Sequence, residues 1–157
     1  MSLDSVRAHL QAIAPDLAVI ELAVSTATVA EAAAAHGVEP GRIAKTLSLR
    51  IGDQVVLVVA RGDARLDNRK LKAEFGGKAK MLDAADVEAV TGHPVGGVSP
   101  FGLKSQLPIY CDVAMREFDE VIPAAGAVFS SIKVPPLRLA ELVGAKWVDV
   151  CEDRGLI

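Results

Sequence analysis

The chain has 157 residues with a formal net charge of −3, and 51% of them are hydrophobic against 24% charged. That length and balance fit one globular domain with a real core and exclude a disordered chain. The acidic balance argues against broad duplex DNA binding, so no DNA partner is expected.

In chain order, residues 2–14 space Leu3, Val6, Leu10 and Ile13 as one face of a helix, with Pro15 after its end. Asp4 interrupts any apolar leader, so the N-terminus does not read as a signal peptide. Residues 17–22 (LAVIEL) suggest a short strand. Thr28 and Glu31 form a capping-box pattern that opens a helix, which Gly37 closes. A turn at Pro40 and Gly41 leads into IAKTLSLR (43–50), and QVVLVVA (54–60) follows across Gly52 and Asp53, predicting a hairpin. The apolar run at 55–60 is too short to span a bilayer, so no membrane partner is expected.

Asp67 caps a charged helix, DNRKLKAEFGG, that ends at Gly76. A short strand, AKML, precedes a second capped helix from Asp83. The loop HPVGGVSPFGLKSQLP follows, then a strand IYCDV, and EVIPAAG and AVFSSIKV suggest two more. Pro135 and Pro136 open a last helix, and KWVDV reads as a final strand. Strands and helices intermingle without regular βαβ alternation. The expectation is an α+β fold in one domain, 1–157, with a mixed, largely antiparallel sheet and helices packed outside it.

Three features can carry chemistry. Strand alternation puts Ile43, Lys45, Leu47 and Leu49 on one face, so the more apolar side of this strand holds an ammonium. Either Lys45 lays its stem on the sheet and lifts its head to water or a carboxylate, or it waits at a pocket for a substrate phosphate. Residues 91–102, TGHPVGGVSPFG, hold four glycines and two prolines. They form either an ordinary turn-rich connection or a loop whose amides face a ligand. Residues 61–80 carry seven cations against three carboxylates, which is either a solvated helix face or a patch facing a nucleic-acid backbone.

Cys111 and Cys151 are far apart and the three histidines are scattered, so no metal site is expected. No GxSxG elbow or Ser-His-Asp set is present, and a hydrolase here would lack an obvious protein nucleophile. A third possibility, a small-molecule enzyme using Lys45 as a nucleophilic amine, finds no support elsewhere in the sequence.

IAKTLSLR, the basic DNRKLKAEFG helix, TGHPVGGVSPFG and IYCD, in that order, resemble the YbaK/prolyl-tRNA-synthetase-associated domain family of aminoacyl-tRNA deacylases. The resemblance covers residues 23–150. It implies a curled, barrel-like mixed sheet surrounded by helices. It also implies a free-standing cytoplasmic enzyme, without cofactor, that hydrolyses wrongly charged tRNA in trans, with prolyl-tRNA synthetase as a further partner.

By the same resemblance, Lys45, Gly96, Gly97 and Asp112 are the expected catalytic residues, with Asp112 open between orienting water and capping the turn before Met115 or supporting the loop. Val98, Ser99, Pro100, Phe101, Gly102 and His93 are expected to bind substrate, although the residues alone favour His93 as a hydrogen-bonding brace of its own loop. From the charge surplus at 61–80, Arg61, Arg65, Arg69, Lys70 and Lys72 are expected to bind tRNA. The implied mechanism is water attack helped by the substrate's ribose hydroxyl, with Lys45 and the loop at 96–100 positioning the ester. Some relatives place a serine where this chain has Pro123, Ala124 and Ala125, so their amino-acid preference does not carry over. A small side chain such as alanine, cysteine or serine on tRNA(Pro) is the expected cargo. The alternative is a non-catalytic module that binds the tRNA acceptor end.

Overall fold

The hairpin at the centre of the molecule is built by β2 (Ile43–Ile51) and β3 (Gln54–Arg61), paired in antiparallel register from Ala44 opposite Arg61 to Ile51 opposite Gln54. Gly52 turns the chain with φ +60°, the positive value that a two-residue hairpin loop requires at its first central position. The computed structural model describes residues 2–153; Met1 and residues 154–157 of the expected domain lie outside the described residues.

Around the hairpin are α1 (Ser2–Ile13), β1 (Ile20–Glu21), α2 (Val29–His36), α3 (Asn68–Phe75), β4 (Ala79–Met81) and α4 (Ala84–Thr91). The chain then forms β5 (Ile109–Asp112), β6 (Ile122–Pro123), β7 (Ser130–Ser131), α5 (Pro136–Val143) and β8 (Lys146–Val148). Short 3-10 turns cover Pro40–Arg42 and Val113–Glu117. The fold is α+β, as expected. Six strands form one mixed sheet in the order β4-β2-β3-β5-β8, with β6 also on β2, while β1 and β7 form a separate ribbon.

The sheet stays open rather than closing like a barrel. β2 pairs antiparallel with β3 and β4, but β2–β6, β3–β5 and β5–β8 are parallel. The segments read as strands at 17–22, EVIPAAG and AVFSSIKV contribute only two residues each. Pro123 contributes no N–H to a ladder, which helps keep β6 short.

The helices begin where their caps dictate. Thr28 and Glu31 complete the capping box of α2, and Asp67 and Asp83 accept from the first amides of α3 and α4. Each such cap is worth about 1 kcal/mol. One face of the sheet packs Leu49, Val56 and Val58 against Leu71 of α3. The other packs Ala44 and Val59 against Val6 and Leu10 of α1, Phe101, and Leu139 of α5. β2 is therefore covered on both faces, with α2 resting on Ile43 through Ala32 and Ala33.

Candidate active site

The outer edge of β2 is paired in two places and open between them. β6 pairs with residues 43–44, β4 with residues 49–51, and a cavity of about 250 Å³ occupies the space beside residues 44–48. Gly96 and Val98 of the glycine-rich loop line the same cavity as Lys45. Thr26 to Val29, at the start of α2, supply more of its wall, with Ala124 and Ser131 beyond.

Lys45 is half-buried, and its Nζ donates to the carbonyl oxygens of Gly62, at 3.3 Å, and Ala64. Both acceptors are neutral, so they orient the ammonium without cancelling its charge. Burial holds its pKa below the ordinary lysine value, against opposing pulls from nearby Cys151 and Asp63. A cation with neutral acceptors beside an apolar cavity is suited to receive an anion from outside.

The loop divides sharply. Gly96 lines the cavity at φ +91°, and a Cβ added there would stand 2.9 Å from the Cβ of Ala27. Gly97 is buried, donates its N–H to the Pro94 carbonyl at 2.9 Å, and accepts from Gly126 N–H at 2.9 Å. Its amide and carbonyl are thus both engaged by main-chain partners, and Gly97 does not line the cavity. Ser99 is fully buried and its hydroxyl accepts from Phe101 N–H at 3.2 Å. Phe101 is a core side chain, edge-on to His9.

His93 is also fully buried. Its Nε2 donates to the Phe101 carbonyl at 2.8 Å, while Nδ1 meets the Ser2 hydroxyl, and burial keeps the ring's pKa low. Pro100 and Gly102 line a different groove with His9, and Gly102 N–H donates to His9 Nδ1 at 2.9 Å. Of the expected substrate-binding residues only Val98 reaches the cavity; His93, Ser99, Pro100, Phe101 and Gly102 build the loop and dock it on α1. The sequence signal for this loop marks backbone shape more than contact.

Asp112 does not line the cavity. It is 1% exposed, with one carboxylate oxygen accepting from Ala114 N–H at 3.0 Å and the other from Val150 N–H at 2.9 Å. The carboxylate caps the 3-10 turn that follows β5 and ties β5 to Val150 beyond β8, the bracing alternative for this residue.

Among the expected tRNA contacts, Arg65, Arg69 and Lys72 are exposed. Arg61 is not: it is 3% exposed, holds Asp63 at 2.6 and 3.0 Å, pairs with Glu117, and lies 4.5 Å over the Phe118 ring. Burial and these partners remove it from the nucleic-acid surface. Lys70 spends its ammonium on Asp149, Asp153 and the Cys151 carbonyl at 2.7–3.0 Å, which makes it a tie to the C-terminal segment.

Sequence reasoning missed Thr26, Thr28, Thr46 and Ser48. The buried hydroxyls of Thr46 and Ser48 have no hydrogen-bond partner. The available signal was two hydroxyls two residues apart on a strand whose opposite face is apolar.

Comparison with known proteins supplies the family. The model of the aminoacyl-tRNA editing domain matches residues 23–142. The chain is 47% identical over 155 residues to the uncharacterized protein YwhH of Bacillus subtilis, covering 98% of this chain and 99% of that one. It is 35% identical over 117 residues to EbsC of Enterococcus faecalis, named as a candidate Cys-tRNA(Pro)/Cys-tRNA(Cys) deacylase, covering 73% and 71% of the two chains. A solved structure described as a candidate trans-editing enzyme for prolyl-tRNA synthetase superposes with a TM-score of 0.90 at 33% identity, covering 97% and 98%. Among the described residues no helix is long and apolar enough to cross a membrane.

Proposed function

The chain belongs to the aminoacyl-tRNA editing domain family, and from that premise we propose that it is a trans-acting deacylase of mischarged tRNA. The observation that carries this reading is one cavity touched by Lys45 from the hairpin and by Gly96 and Val98 from the loop. The tRNA end enters with its sugar-phosphate beside the Lys45 ammonium and its aminoacyl group inside the cavity. Water attacks the ester carbonyl and the bond to the ribose oxygen breaks. The products are a free amino acid and a tRNA with its terminal hydroxyl restored, the proton passing from the water to that leaving oxygen. A neighbouring ribose hydroxyl orients the water, so an already activated ester needs no protein nucleophile.

The walls are mostly small or apolar, including Ala27, Ala32, Ala44 and Ala124, which favours a small cargo such as alanine, cysteine or serine. tRNA(Pro) is the proposed carrier, prolyl-tRNA synthetase the proposed source of the error, and the cytoplasm the setting. The test is a panel of mischarged tRNAs, with tRNA(Pro) bearing alanine, cysteine or serine first. Enzyme-dependent loss of the amino acid is expected from at least one. Binding that leaves every ester lifetime unchanged would replace this reading with that of an acceptor-end binding module.

A further inference from the structure

Side chains alternate across a strand, so a cavity against one face touches every second residue. This cavity touches Ala44, Lys45, Thr46, Leu47 and Ser48 in succession, and so lies along the edge of β2. The hairpin register fixes which main-chain groups point there. Ile51 and Gln54 flank a two-residue turn and form a hydrogen-bonded pair, so Leu49, Leu47 and Lys45 likewise bond inward to β3. Residues 44, 46, 48 and 50 then turn their N–H and C=O outward. Two bonds verify this parity: Leu82 N–H donates to the Ser48 carbonyl at 3.1 Å, and on β3 Leu57 N–H reaches outward to the Pro108 carbonyl at 2.9 Å.

At Thr46 no strand among the described residues takes up the edge. β6 stops at Ala44 and β4 begins pairing at Leu49. A main-chain donor and acceptor in a mostly apolar cavity are costly unless something fills the place, and open strand edges bind by adding a strand. The unpartnered hydroxyls of Thr46 and Ser48 on the same wall independently mark a place prepared for polar atoms.

We propose that the aminoacyl group docks on Thr46 as a single added strand residue. Its α-ammonium donates to the Thr46 carbonyl, and its ester carbonyl accepts from the Thr46 N–H. That is the two-bond exchange of an antiparallel hydrogen-bonded pair. The inference rests on the deacylase reading and deepens it. Main-chain recognition makes the enzyme a reader of the free α-amino group rather than of the side chain, and the Thr46 N–H becomes a donor to the developing oxyanion.

The test compares alanyl-tRNA, N-acetylalanyl-tRNA and lactyl-tRNA, the last carrying a hydroxyl for the ammonium. A fourth arm replaces Thr46 with its α-hydroxy-acid counterpart, which deletes the N–H and keeps the side chain. N-acetylation is expected to slow hydrolysis about 100-fold and the hydroxyl to slow it about 10-fold. The backbone ester should lower kcat about 100-fold, on the scale of a lost oxyanion donor. Hydrolysis of N-acetylalanyl-tRNA at the alanyl rate, or full activity of the backbone ester, overturns the inference while leaving a deacylase. No hydrolysis of any unblocked ester, cysteinyl and seryl included, overturns the deacylase reading itself. Should the backbone ester fail to fold, the lactyl arm decides, an unchanged rate counting against the inference.

Discussion

Lys45 stands directly opposite Ala60 across the central hairpin, and its ammonium extends beyond that small residue to the carbonyls of Gly62 and Ala64. Lys45→Met keeps the stem and removes the charge, so deacylation should fall about 100-fold with the fold intact. Because burial lowers this lysine's folded pKa below its unfolded value, protonation favours the unfolded chain. Its contribution to stability therefore rises as pH climbs from the folded pKa towards 10.5. Single-turnover hydrolysis with parallel thermal melts checks this, and a variant that unfolds would assign Lys45 to structure instead.

Arg61 and Arg65 should separate cleanly. Arg61→Leu strips a buried guanidinium from Asp63, Glu117 and the Phe118 ring, at an expected cost of about 3 kcal/mol. Its folded fraction should still bind tRNA with the wild-type salt dependence. Arg65→Ala and Arg69→Ala, on exposed positions, should leave the melt unchanged and reduce the salt slope by about one counterion each. Binding isotherms at several salt concentrations, beside urea melts, distinguish the two classes.

Asp112→Asn keeps one acceptor oxygen but turns an NH2 towards an amide that needs an acceptor. Stability should drop by about 1–2 kcal/mol, while activity per folded molecule stays near wild type. A loss of kcat at full folding would return Asp112 to the chemistry.

The local grammar of this sequence was readable: caps at Thr28, Asp67 and Asp83, the hairpin turn at Gly52, and the helix opened by Pro136 all fall where their chemistry puts them. Lys45 was conspicuous because a charge on an apolar stripe breaks the pattern. The open edge at Thr46 was not visible, because it depends on where β4 and β6 stop, a non-local fact. For the same reason Arg61 looked like its charged neighbours. Only the fold brings Glu117 and Phe118 beside it. His93 and Ser99 stood out as loop chemistry, yet a loop docked on a helix needs internal hydrogen bonds as much as a binding loop does.

The two cysteines give a prediction in alkaline solution. Burial pushes both thiols up to about 12, with Asp112 adding to the effect, whereas a thiol in the unfolded chain ionises near 9.0. Each raised pKa contributes stability that is fully present below pH 9 and is lost as pH rises towards 12. The loss is about 1 kcal/mol per pH unit per thiol. Urea midpoints at pH 8 and pH 10 should converge in Cys111→Ala relative to wild type, even though the variant starts less stable. Identical pH slopes in the two proteins would count against the buried-thiol account.

Gly96 and Gly97 are adjacent, yet they should fail in different ways when substituted. Gly96→Ala drives a methyl to 2.9 Å from the Ala27 side chain at a positive φ, on the wall of the cavity itself. Relief requires the Ala27 segment to retreat or the loop to shift, and either reshapes the space that holds the ester. Gly97→Ala instead presses on the main chain of Ala127, with three backbone atoms within 3.0 Å, behind the cavity wall. Backbone this close gives way only at a cost, so the expected loss is about 2 kcal/mol or more in stability. Gly96→Ala should therefore lower kcat/KM at least about tenfold and also lower Tm, since φ +91° strains any side chain added there. Gly97→Ala should lower Tm first and spare the activity of whatever remains folded. Equal losses of activity at unchanged Tm would mean that both amides face the substrate, contrary to the Gly97–Pro94 and Gly126–Gly97 hydrogen bonds.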